Sequence, residues 1–578
     1  MIPEQLQANR HTLAHLLGAA ILELYPNSKL TLGPAIDNGF YYDTDVAGKI
    51  TDEDLVKIEK KMREMLTSWT SMSGNDISLE EAQKMFAENE YKLELINEHK
   101  DSGLTAYSAG NFTDLCKGGH SENPAEDLKN IGWKLERVAG AYWRGSEKNK
   151  MLTRVYGLAF PTQAELDAYI TQQEEAKKRD HRKIGKELGL FVFSELVGPG
   201  LPLWTPKGTM IREALNDFVW ELRRERGYEK VTIPHITKKE LYETSGHWAK
   251  YADDLFKIHT REDHLYAMKP MNCPHHTQIF DSELRSYRDM PQRYAETTMV
   301  YRDEQSGELS GLSRVLSITQ DDAHVFCREN QIENEALAIW DIIEKFYGTF
   351  GFNLQVRFSR HDPKTPEKYL GDPASWEKAE YALQKLMEGK GVTWIDGLGE
   401  AAFYGPKIDF IAKDSIGRVL QVATIQLDFN QPKNFGLTCV NEKGEKEQVV
   451  MIHAAIMGSI ERFMSTLIEH LAGLFPVWLC PTQVAIVPVR ENHEDYGQKM
   501  LSALKEKGIR AKLDAGKDSL GKRINGAKAQ KVPYVIVLGD KEIASGALTV
   551  ETRTEKLVDI SIEQFIERLE TEIKNRSL

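Results

Sequence analysis

Four charged side chains, in separated segments, have the types and spacing needed to bind a nucleoside triphosphate. Arg302 and Glu304 alternate in VYRDE (300–304), so both face one side of a predicted strand. Arg314 follows on the expected return strand, and Arg462 lies on a predicted helix preceded by small residues. Because an arginine guanidinium can donate two parallel hydrogen bonds to phosphate oxygens, two arginines from different elements could hold the α- and γ-phosphates of a bent ATP. No GxxxxGK(S/T) motif is present, which excludes a P-loop enzyme, although each arginine alone is more often a surface ion pair.

A second group of residues, near the N-terminus, has the types found at metal sites and hydrolytic sites. His11 and His15 in HTLAH lie four residues apart and therefore share one face of a helix. Cys116 and His120 in DLCKGGH could join them. Four such side chains usually suggest zinc, but the spacing alone leaves the presence of a metal open. The alternative is a helix with two partly buried histidines, which is a common arrangement.

The surrounding sequence predicts the elements that must carry these residues. Amphipathic periodicity predicts a helix over 53–69, and polar helix-forming residues predict a connecting helix over 163–183. The larger part of the chain lacks a βαβ rhythm, which indicates an antiparallel sheet flanked by helices. Its clearest predicted helices are 209–227 and 453–471; residues 230–236 are predicted to be extended, and the clearest predicted strand is 417–429. From residue 481 onward, the order β-α-β-α-β predicts a small α/β module.

The composition is that of an ordinary globular chain. A length of 578 residues suggests about three or four domains, and 41% hydrophobic residues allow an ample core. Neither a transmembrane-length apolar run nor a signal peptide is found, so no membrane association is expected. The five cysteines are odd in number and widely spread, which argues against disulfides and predicts a cytoplasmic location. The net charge of −13 does not favour a generic nucleic-acid binder, although the segment after Pro481 carries a slight basic excess.

Taken together, the arginine-bearing segments resemble a known family far more specifically than any one of them does. VYRDE, GLSRVLSITQDDAHVF (311–326) and MGSIERF resemble motifs 2 and 3 of class II aminoacyl-tRNA synthetases, and VTIPHI with Pro234 resembles motif 1 and its dimer interface. The order of MNCP, TQDDAHVF, YGPKIDF, QLDF and IHAAIMGSIERF is similar to that of bacterial-type threonyl-tRNA synthetases over nearly the whole chain. This resemblance implies activation of L-threonine with ATP and Mg²⁺, transfer to tRNA(Thr), and a homodimer.

The same resemblance marks Cys273, His324 and His453 as the ligands of one zinc ion per subunit in the catalytic domain. Their spacing is too wide to predict a metal by itself, and a lone cysteine is more often a small buried hydrophobe. One thiolate and two imidazoles leave zinc with open coordination, which the amino nitrogen and hydroxyl of threonine could fill. Valine has no hydroxyl, so such a site is expected to reject it.

The resemblance also implies roles for residues around the substrate. Asp322 would accept a hydrogen bond from the threonine hydroxyl, and Arg302 would bridge the threonine carboxylate and the α-phosphate. His247, in TSGHW, would assist transfer to the terminal ribose of the tRNA. The remaining expected residues are Gln320, Tyr404 and Gln426 for threonine, Glu304, Arg314, Gln421 and Arg462 for ATP, and Lys407 and Arg462, with Arg302, for catalysis.

Serine also carries a hydroxyl, and one missing methyl supplies only about 1–3 kcal/mol of discrimination. A second, hydrolytic site is therefore expected. HTLAH and DLCKGGH resemble the HxxxH…CxxxH editing domain of the family, which hydrolyses seryl-tRNA(Thr) without a bound metal. The editing residues that this resemblance implies are His11, His15, Cys116 and His120, supported by Tyr42, Lys92 and Asp114.

The resemblance predicts a multidomain α+β fold. The expected segments are an α+β editing domain (1–162), a linker helix (163–183), a class II catalytic domain with an antiparallel sheet (184–480) and an α/β anticodon-binding domain (481–578). Asn525 and Glu551 stand where arginines are usual in the family, so the residues that read the anticodon are not predicted. Relatives often carry a small β-grasp domain before HxxxH; because this sequence starts almost at HTLAH, that domain is expected to be either absent or not included in this sequence.

Three rival interpretations fit the sequence less well. Another class II synthetase is disfavoured by the cysteine and histidines of the zinc set together with HTLAH. A synthetase-like RNA-binding protein without catalysis is expected to have lost ATP or zinc residues, and these are present. A free-standing zinc hydrolase would explain residues 1–160 but not the rest of the chain.

Overall fold

The computed structural model describes residues 4–578, which form two compact units. One unit ends at Glu174, and the other extends from Glu175 to Leu578. The predicted connecting helix over 163–183 is divided into Gln163–Arg179 and His181–Leu188, because Asp180 leaves the helical conformation and its side chain caps the second helix at the backbone N–H of Arg182.

The N-terminal unit is built on a long helix and two antiparallel sheets. Helix Glu4–Leu24 buries Leu13, Leu16 and Leu17 in one core with Phe40 of the larger sheet. The larger sheet has the strand order Lys29–Leu30, Gly39–Asp45, Met151–Phe160 and Gly132–Tyr142, with Ala35–Ile36 paired to Gly39–Asp45. The smaller sheet comprises Ser73–Ile77, Leu104–Ala109 and Phe112–Leu115. The other helices are Leu55–Leu66, Leu79–Met85, Glu90–His99 and Pro124–Asp127. The first of these lies within the predicted helix 53–69 and buries Leu55, Ile58 and Met62 as its periodicity requires.

The second unit is organised around an eight-stranded sheet. Its strand order is Glu229–Lys230, Gln292–Tyr301, Ser317–Cys327, Val450–Ser459, Val419–Asp428, Lys407–Lys413, Asn353–Arg360 and Trp394–Leu398. All pairings are antiparallel except those of the two outermost strands. The flanking helices include Pro206–Glu225, Cys273–Asp281, Ile332–Gly348, Pro373–Lys390 and Ile460–His470. A small three-stranded sheet adds Ile236–Lys238, Leu265–Met268 and Lys257–His259. The predicted antiparallel sheet with flanking helices is therefore confirmed.

The predicted helix over 453–471 is wrong in its first part. Residues up to Ser459 belong to strand Val450–Ser459, and only Ile460–His470 is helical. Side chains on both faces of this strand are buried, so its apolar run shows no alternation and cannot be distinguished from a helix by periodicity. The helix begins where the Ser459 hydroxyl accepts the backbone N–H of Arg462. Arg462 consequently lies in the first turn of the helix, at the end of a central strand.

The C-terminal part of the second unit has its own sheet and core. The strand order is Ala511–Leu513, Val484–Pro488, Tyr534–Leu538, Leu548–Glu551 and Lys556–Ile560, with the first three strands parallel. The helices are Glu494–Glu506, Leu520–Ala529, Asp540–Ser545 and Ile562–Asn575. This arrangement confirms the α/β module that was predicted after residue 481. No helix within residues 4–578 combines the length and the apolar character needed to cross a bilayer.

Candidate functional site

The register of the eight-stranded sheet brings predicted site residues together in a row across its strands. His324 is paired with Tyr294 on one side and with His453 on the other. His453 is paired with Gln426, which is paired in turn with Lys407. Directly opposed residues of antiparallel strands project to the same face, so all five side chains share one face of the sheet.

A second row runs parallel to the first, two residues along each strand. Asp322 is paired with Glu296 and Ala455, and Ala455 is paired with Thr424, which leads to Asp409. A shift of two residues keeps the same face of a pleated strand. The expected ligands for zinc and for the threonine hydroxyl therefore lie on adjacent rows.

Cys273, His324 and His453 converge on one buried point. Cys273 comes from the first residue of helix Cys273–Asp281, and all potential ligand atoms of the three residues lie within 4.8 Å of one another. His324 Nε2 is 3.1 Å from His453 Nδ1. Burial raises the pKa of the Cys273 thiol well above its usual value and lowers that of His324. Two buried imidazoles beside a thiol match the donor set that zinc prefers.

Groups outside this cluster orient the two imidazoles. His453 Nε2 donates to Asp428 Oδ2 at 3.0 Å, which leaves Nδ1 free to act as a ligand. His324 Nδ1 is 2.8 Å from Nδ1 of His276, which leaves Nε2 free in the same way. Asp428 and His276 were not predicted as site residues. Their positions in QLDF and CPHH, inside motifs already singled out, were the available signal.

A cavity of about 830 Å³ opens from this cluster along the sheet. It is lined by Arg302, Glu304, Arg314, Gln320, Asp322, Tyr404, Lys407, Gln421, Gln426, His453 and Arg462, all of them predicted site residues. Asn272 Nδ2 donates to Asp322 Oδ2 at 3.0 Å, and the Tyr404 hydroxyl donates to Gln426 Oε1 at 2.9 Å. The buried Gln320 Oε1 has no partner within the described residues. The cavity thus offers a small ligand some polar groups that are already held by hydrogen bonds and one polar atom that is free to accept one.

The arginines of the cavity differ in their partners. Arg314 Nη2 lies 2.6 Å from Glu304 Oε2 and 3.0 Å from Glu308 Oε2. Arg302 has a buried Nε without a hydrogen-bond partner and stacks over the Tyr251 ring, 5.6 Å from its centroid. Within residues 4–578, no carboxylate pairs with the guanidinium of Arg302 or with that of Arg462. Two unneutralised cations facing a cavity favour an anionic ligand.

Lys407 and Gln421 share a hydrogen-bond partner, Asp409, which was not predicted as a site residue. Lys407 Nζ and Gln421 Nε2 both donate to Asp409, each at 2.8 Å. Asp409 is fully buried and also accepts a hydrogen bond from Ser359 at 2.7 Å. The lysine is therefore held in place by a carboxylate two residues along its own strand.

His247 is not brought into the cavity. Its ring is fully buried, with Nδ1 2.8 Å from the Ser245 hydroxyl and Nε2 3.2 Å from Met271 Sδ. Burial, followed by the nearby charges of His453 and Arg302, lowers the pKa of His247 to about 3. Cys273 Sγ lies 3.7 Å from Nε2, so the imidazole faces the cysteine rather than the cavity.

The N-terminal unit holds the second predicted cluster. The ligand-type atoms of His11, His15, Cys116 and His120 lie within 4.8 Å of one another. Cys116 Sγ is 3.5 Å from His11 Nε2 and 3.4 Å from His120 Nε2. Gly118 and Gly119 have φ values of +102° and +84°, which lets the short CKGGH turn bring His120 back to the cysteine.

The supporting residues of this cluster meet at Asp114. Lys92 Nζ lies 2.6 Å from Asp114 Oδ1, and the Tyr42 hydroxyl donates to Oδ2. His15 Nδ1 is 3.2 Å from the same Oδ2. Burial alone would lower the pKa of His15, but its contacts with Asp114 and Cys116 raise it to about 9. A pocket of about 290 Å³ lies beside these residues, lined by all predicted editing residues except His120.

The thiol of Cys116 provides a pH-dependent test of this arrangement. Burial would raise its pKa, but hydrogen bonds with His11, His120 and His15 lower the pKa to about 3. A depressed pKa keeps the reactive thiolate populated as the pH falls. Alkylation of folded protein by iodoacetamide should therefore keep a nearly constant rate between pH 8 and 5, whereas an ordinary thiol slows by roughly 10³-fold over that range.

The readout of this experiment is mass spectrometry of the peptide that contains Cys116. The other four cysteines, Cys273, Cys327, Cys439 and Cys480, are buried and should stay unlabelled. The same peptide alkylated in denaturant is the control for an ordinary thiol. Labelling of folded Cys116 that drops tenfold per pH unit below pH 8 would contradict the predicted environment.

The two positions that depart from the family pattern lie in different surroundings. Glu551 lies 2.8 Å from Lys528 Nζ and 3.0 Å from Lys556 Nζ, so two lysines neutralise it. Asn525 is exposed on helix Leu520–Ala529. Arg553 donates to the backbone oxygens of Phe475 and Lys531.

Known proteins share both the sequence and the fold of this chain. Residues 256–471 match the model of the tRNA synthetase class II core domain (G, H, P, S and T), and residues 483–572 match the anticodon-binding domain. A threonine–tRNA ligase of Thermotoga petrophila is 47% identical over 580 residues, covering 100% of this chain and 89% of its own. That of Rubrobacter xylanophilus is 45% identical, covering 99% of this chain and 90% of its own.

A solved structure agrees with these relatives. The structure titled as the RNA-binding domain of threonyl-tRNA synthetase from Cryptosporidium parvum superposes with a TM-score of 0.65 at 33% identity. The superposition covers 68% of this chain and 98% of that structure. The chain therefore belongs to the threonine–tRNA ligase family of class II aminoacyl-tRNA synthetases.

Proposed function

We propose that this chain activates L-threonine with ATP and Mg²⁺, transfers it to tRNA(Thr), and hydrolyses seryl-tRNA(Thr) at a second site. The main observation in support is the convergence of Cys273, His324 and His453 at one buried point, from which His453 lines, together with Asp322, a cavity of about 830 Å³. Arg302 and Arg462 line the same cavity without a carboxylate partner among the described residues. One end is thus suited to an amino acid with a hydroxyl, and the remainder to a polyphosphate.

Cys273, His324 and His453 would hold one zinc ion per chain. The fit rests on a thiol and two imidazoles at one buried point, with Asp428 and His276 fixing the outer nitrogens. When bound, zinc would supply open coordination for the amino nitrogen and hydroxyl of threonine. Asp322, held by Asn272, would accept the hydrogen bond from that hydroxyl.

The remaining residues of the cavity would orient the reactants for in-line attack of the threonine carboxylate on the α-phosphate. Gln320, Tyr404 and Gln426 would fix the threonine amino and carboxylate groups. Arg302 would bridge the carboxylate and the α-phosphate as charge develops there, which is the largest single contribution expected of such a site. The expected ATP contacts are Glu304, Arg314, Gln421 and Arg462, with Lys407 held towards the cavity by Asp409.

His247 is proposed to assist the transfer of threonine to the tRNA. Its ring contacts Ser245, Met271 and Cys273 and does not line the cavity. Action on the terminal ribose of the tRNA therefore requires the segment around His247 to move when the tRNA binds.

The N-terminal cluster is proposed to hydrolyse seryl-tRNA(Thr) without a metal. The contacts of His15 with Asp114 and Cys116 raise its pKa and so favour the protonated ring, and a protonated imidazole has no lone pair for a cation. The imidazoles of His11 and His120 flank the Cys116 sulfur and would orient water and move its proton. A pocket of about 290 Å³ beside these residues is large enough to admit the serine ester.

Two further parts of the proposal concern assembly and location. Exposed apolar side chains are concentrated between residues 192 and 203, which suits a second copy of this chain and supports a homodimer. Those side chains are Val192, Phe193, Leu196, Val197 and Leu203. All five cysteines are free, which suits the reducing cytoplasm.

The test compares activation with accumulation of charged tRNA. Wild-type protein should support ATP–pyrophosphate exchange with threonine, more weakly with serine, and not with valine. It should nevertheless accumulate no seryl-tRNA(Thr). His11→Ala removes an imidazole beside Cys116 and should slow deacylation of seryl-tRNA(Thr) by about 10²-fold, so that the mischarged product accumulates while threonine exchange is unchanged.

The matched control is Gln5→Ala on the same helix, whose side chain is hydrogen-bonded to Asn9. It should deacylate seryl-tRNA(Thr) like the wild type. Absence of threonine exchange in folded, zinc-loaded protein would contradict the proposed activation. It would favour the alternative of an RNA-binding protein without catalysis. Equal deacylation by His11→Ala and wild type would exclude the cluster from editing.

A further inference from the structure

His181, a residue to which the proposed function gives no role, connects three segments of the second unit. It is the first residue of helix His181–Leu188 and is 3% exposed. Its Nδ1 lies 2.6 Å from Glu469 Oε1, near the end of helix Ile460–His470. Its Nε2 accepts the backbone N–H of Leu312 at 3.0 Å. Both of these contacts are buried.

The partners of the ring determine its protonation. The backbone N–H of Leu312 can only donate, so Nε2 must accept and carry no proton. The carboxylate of Glu469 accepts, so the proton lies on Nδ1. His181 is therefore a neutral ring with one donor and one acceptor, both in use.

Leu312 belongs to a tight turn that lines the cavity. The backbone N–H of Ser310 donates to the oxygen of Arg314 at 3.1 Å, which closes the turn 310–314. The Leu312 side chain is fully buried in the core, while Ser313 and Arg314 line the cavity. Hydrogen bonding of Leu312 to His181 thus fixes the base of a turn whose outer residues face the expected ATP site.

Gly311 shows how closely the turn approaches the ring. Its φ is +52°, and a Cβ at this position would lie 2.4 Å from His181 Nε2. Any side chain would therefore displace either the ring or the turn. The close approach is possible only with glycine, and it brings the N–H of the next residue onto the imidazole.

Glu469, the carboxylate partner of His181, is also held in place by further contacts. Glu469 Oε1 also accepts the backbone N–H of His181 at 3.0 Å, and its second oxygen pairs with Arg418. Arg418 and Glu469 both line the cavity. Asp180 is the other charged residue next to His181. Its carboxylate is paired with Arg182 and caps the helix. With both ring nitrogens and the carboxylates engaged, this group of residues is a positioning network rather than a metal site.

We infer that His181 is a positioning residue for ATP binding: its neutral ring fixes the turn 310–314 against helix Ile460–His470. The turn presents Arg314, and the helix carries Arg462 in its first turn. The two arginines expected to bind ATP are thereby held at fixed positions relative to each other. This inference rests on the proposed function, because it assumes that the cavity binds ATP.

Two substitutions separate the contacts of the ring. In His181→Asn, the amide nitrogen takes the place of Nδ1 and keeps the donor to Glu469, but the acceptor for Leu312 is lost. In His181→Gln, the amide oxygen reaches the place of Nε2 and restores that acceptor. The asparagine variant should raise the KM and the Kd for ATP on the order of tenfold, with kcat and the KM for threonine within about twofold of wild type. The glutamine variant should recover most of the ATP affinity.

The measurements are threonine-dependent ATP–pyrophosphate exchange and ATP binding by calorimetry. His493→Asn is the matched control, because His493 is also 2% exposed and contacts a backbone oxygen and a carboxylate, those of Leu538 and Asp540. It should leave the Kd for ATP unchanged. Gly311→Ala provides a second variant that pushes the turn from the ring and should weaken ATP binding in the same way.

The outcomes distinguish this inference from the proposed function. Equal ATP affinity in wild type, His181→Asn and Gly311→Ala overturns the inference. So does equal weakening by asparagine and glutamine at position 181, which would indicate a purely structural role. Wild-type protein that binds ATP but shows no threonine exchange contradicts the proposed function alone, because the ATP affinities of the variants still test His181.

Discussion

Replacing Arg302 with glutamine is expected to lower kcat for threonine-dependent ATP–pyrophosphate exchange by about 10²–10³-fold. The guanidinium lines the cavity, and stacking on Tyr251 places it before any ligand binds. Within the described part of the chain, no carboxylate neutralises it. A cation that is already in position stabilises charge in the transition state without reorganisation, and glutamine cannot supply that charge.

The exchange assay reports this effect at saturating threonine and ATP. Arg328→Gln is the control, because Arg328 lies at the end of the same sheet but is paired with Glu442 and Glu447, at 2.8 and 2.9 Å. It should exchange like the wild type. A kcat within about threefold of wild type for the Arg302 variant would exclude transition-state stabilisation by this residue and leave only a binding role.

Replacing Cys273 with alanine is expected to remove the zinc ion and most threonine activation. The remaining imidazoles of His324 and His453 provide only two of the three converging donors. Metal content, measured by atomic absorption, should fall from about one zinc ion per chain to almost none. Loss of several kcal/mol of substrate stabilisation should then lower kcat/KM for threonine by about 10³-fold or more.

Cys327→Ala separates this effect from simple loss of packing. Cys327 is as fully buried as Cys273 and lies on the strand that carries His324, but it is outside the cluster. The control should keep its zinc and its threonine activity. If Cys273→Ala kept stoichiometric zinc, or if threonine exchange persisted in zinc-free protein, the proposed role of the metal would be wrong.

Much of the fold and of the site follows from local patterns in the sequence. The period of residues 53–69 correctly indicated an amphipathic helix, and alternation correctly indicated the strand Val419–Asp428. The residue types that line the cavity were also recognised in advance, because each lies in a short segment with a family-like order. The failure over 453–459 has a physical cause: a strand covered on both faces has no alternation to detect.

Residues that position others were the part most difficult to predict. Asp409, Asp428 and His276 contact site residues but have no distinctive spacing of their own. His181 precedes its partner Glu469 by 288 residues, and the tautomer of its ring depends on the turn at Leu312. Hydrogen bonds between distant segments leave no periodic trace in either segment, so such roles emerge only from the folded chain.

The sequence by itself determined the residue types, the order of the motifs and the elements that carry them. It provided one thiol and two imidazoles in separate segments, and arginines in three separate segments. Only the tertiary structure brought His324 within 3.1 Å of His453, which is 129 residues away, and buried both beside Cys273. The reason is that strand register sets such proximity, and register is decided by pairing across the whole sheet rather than by neighbouring residues.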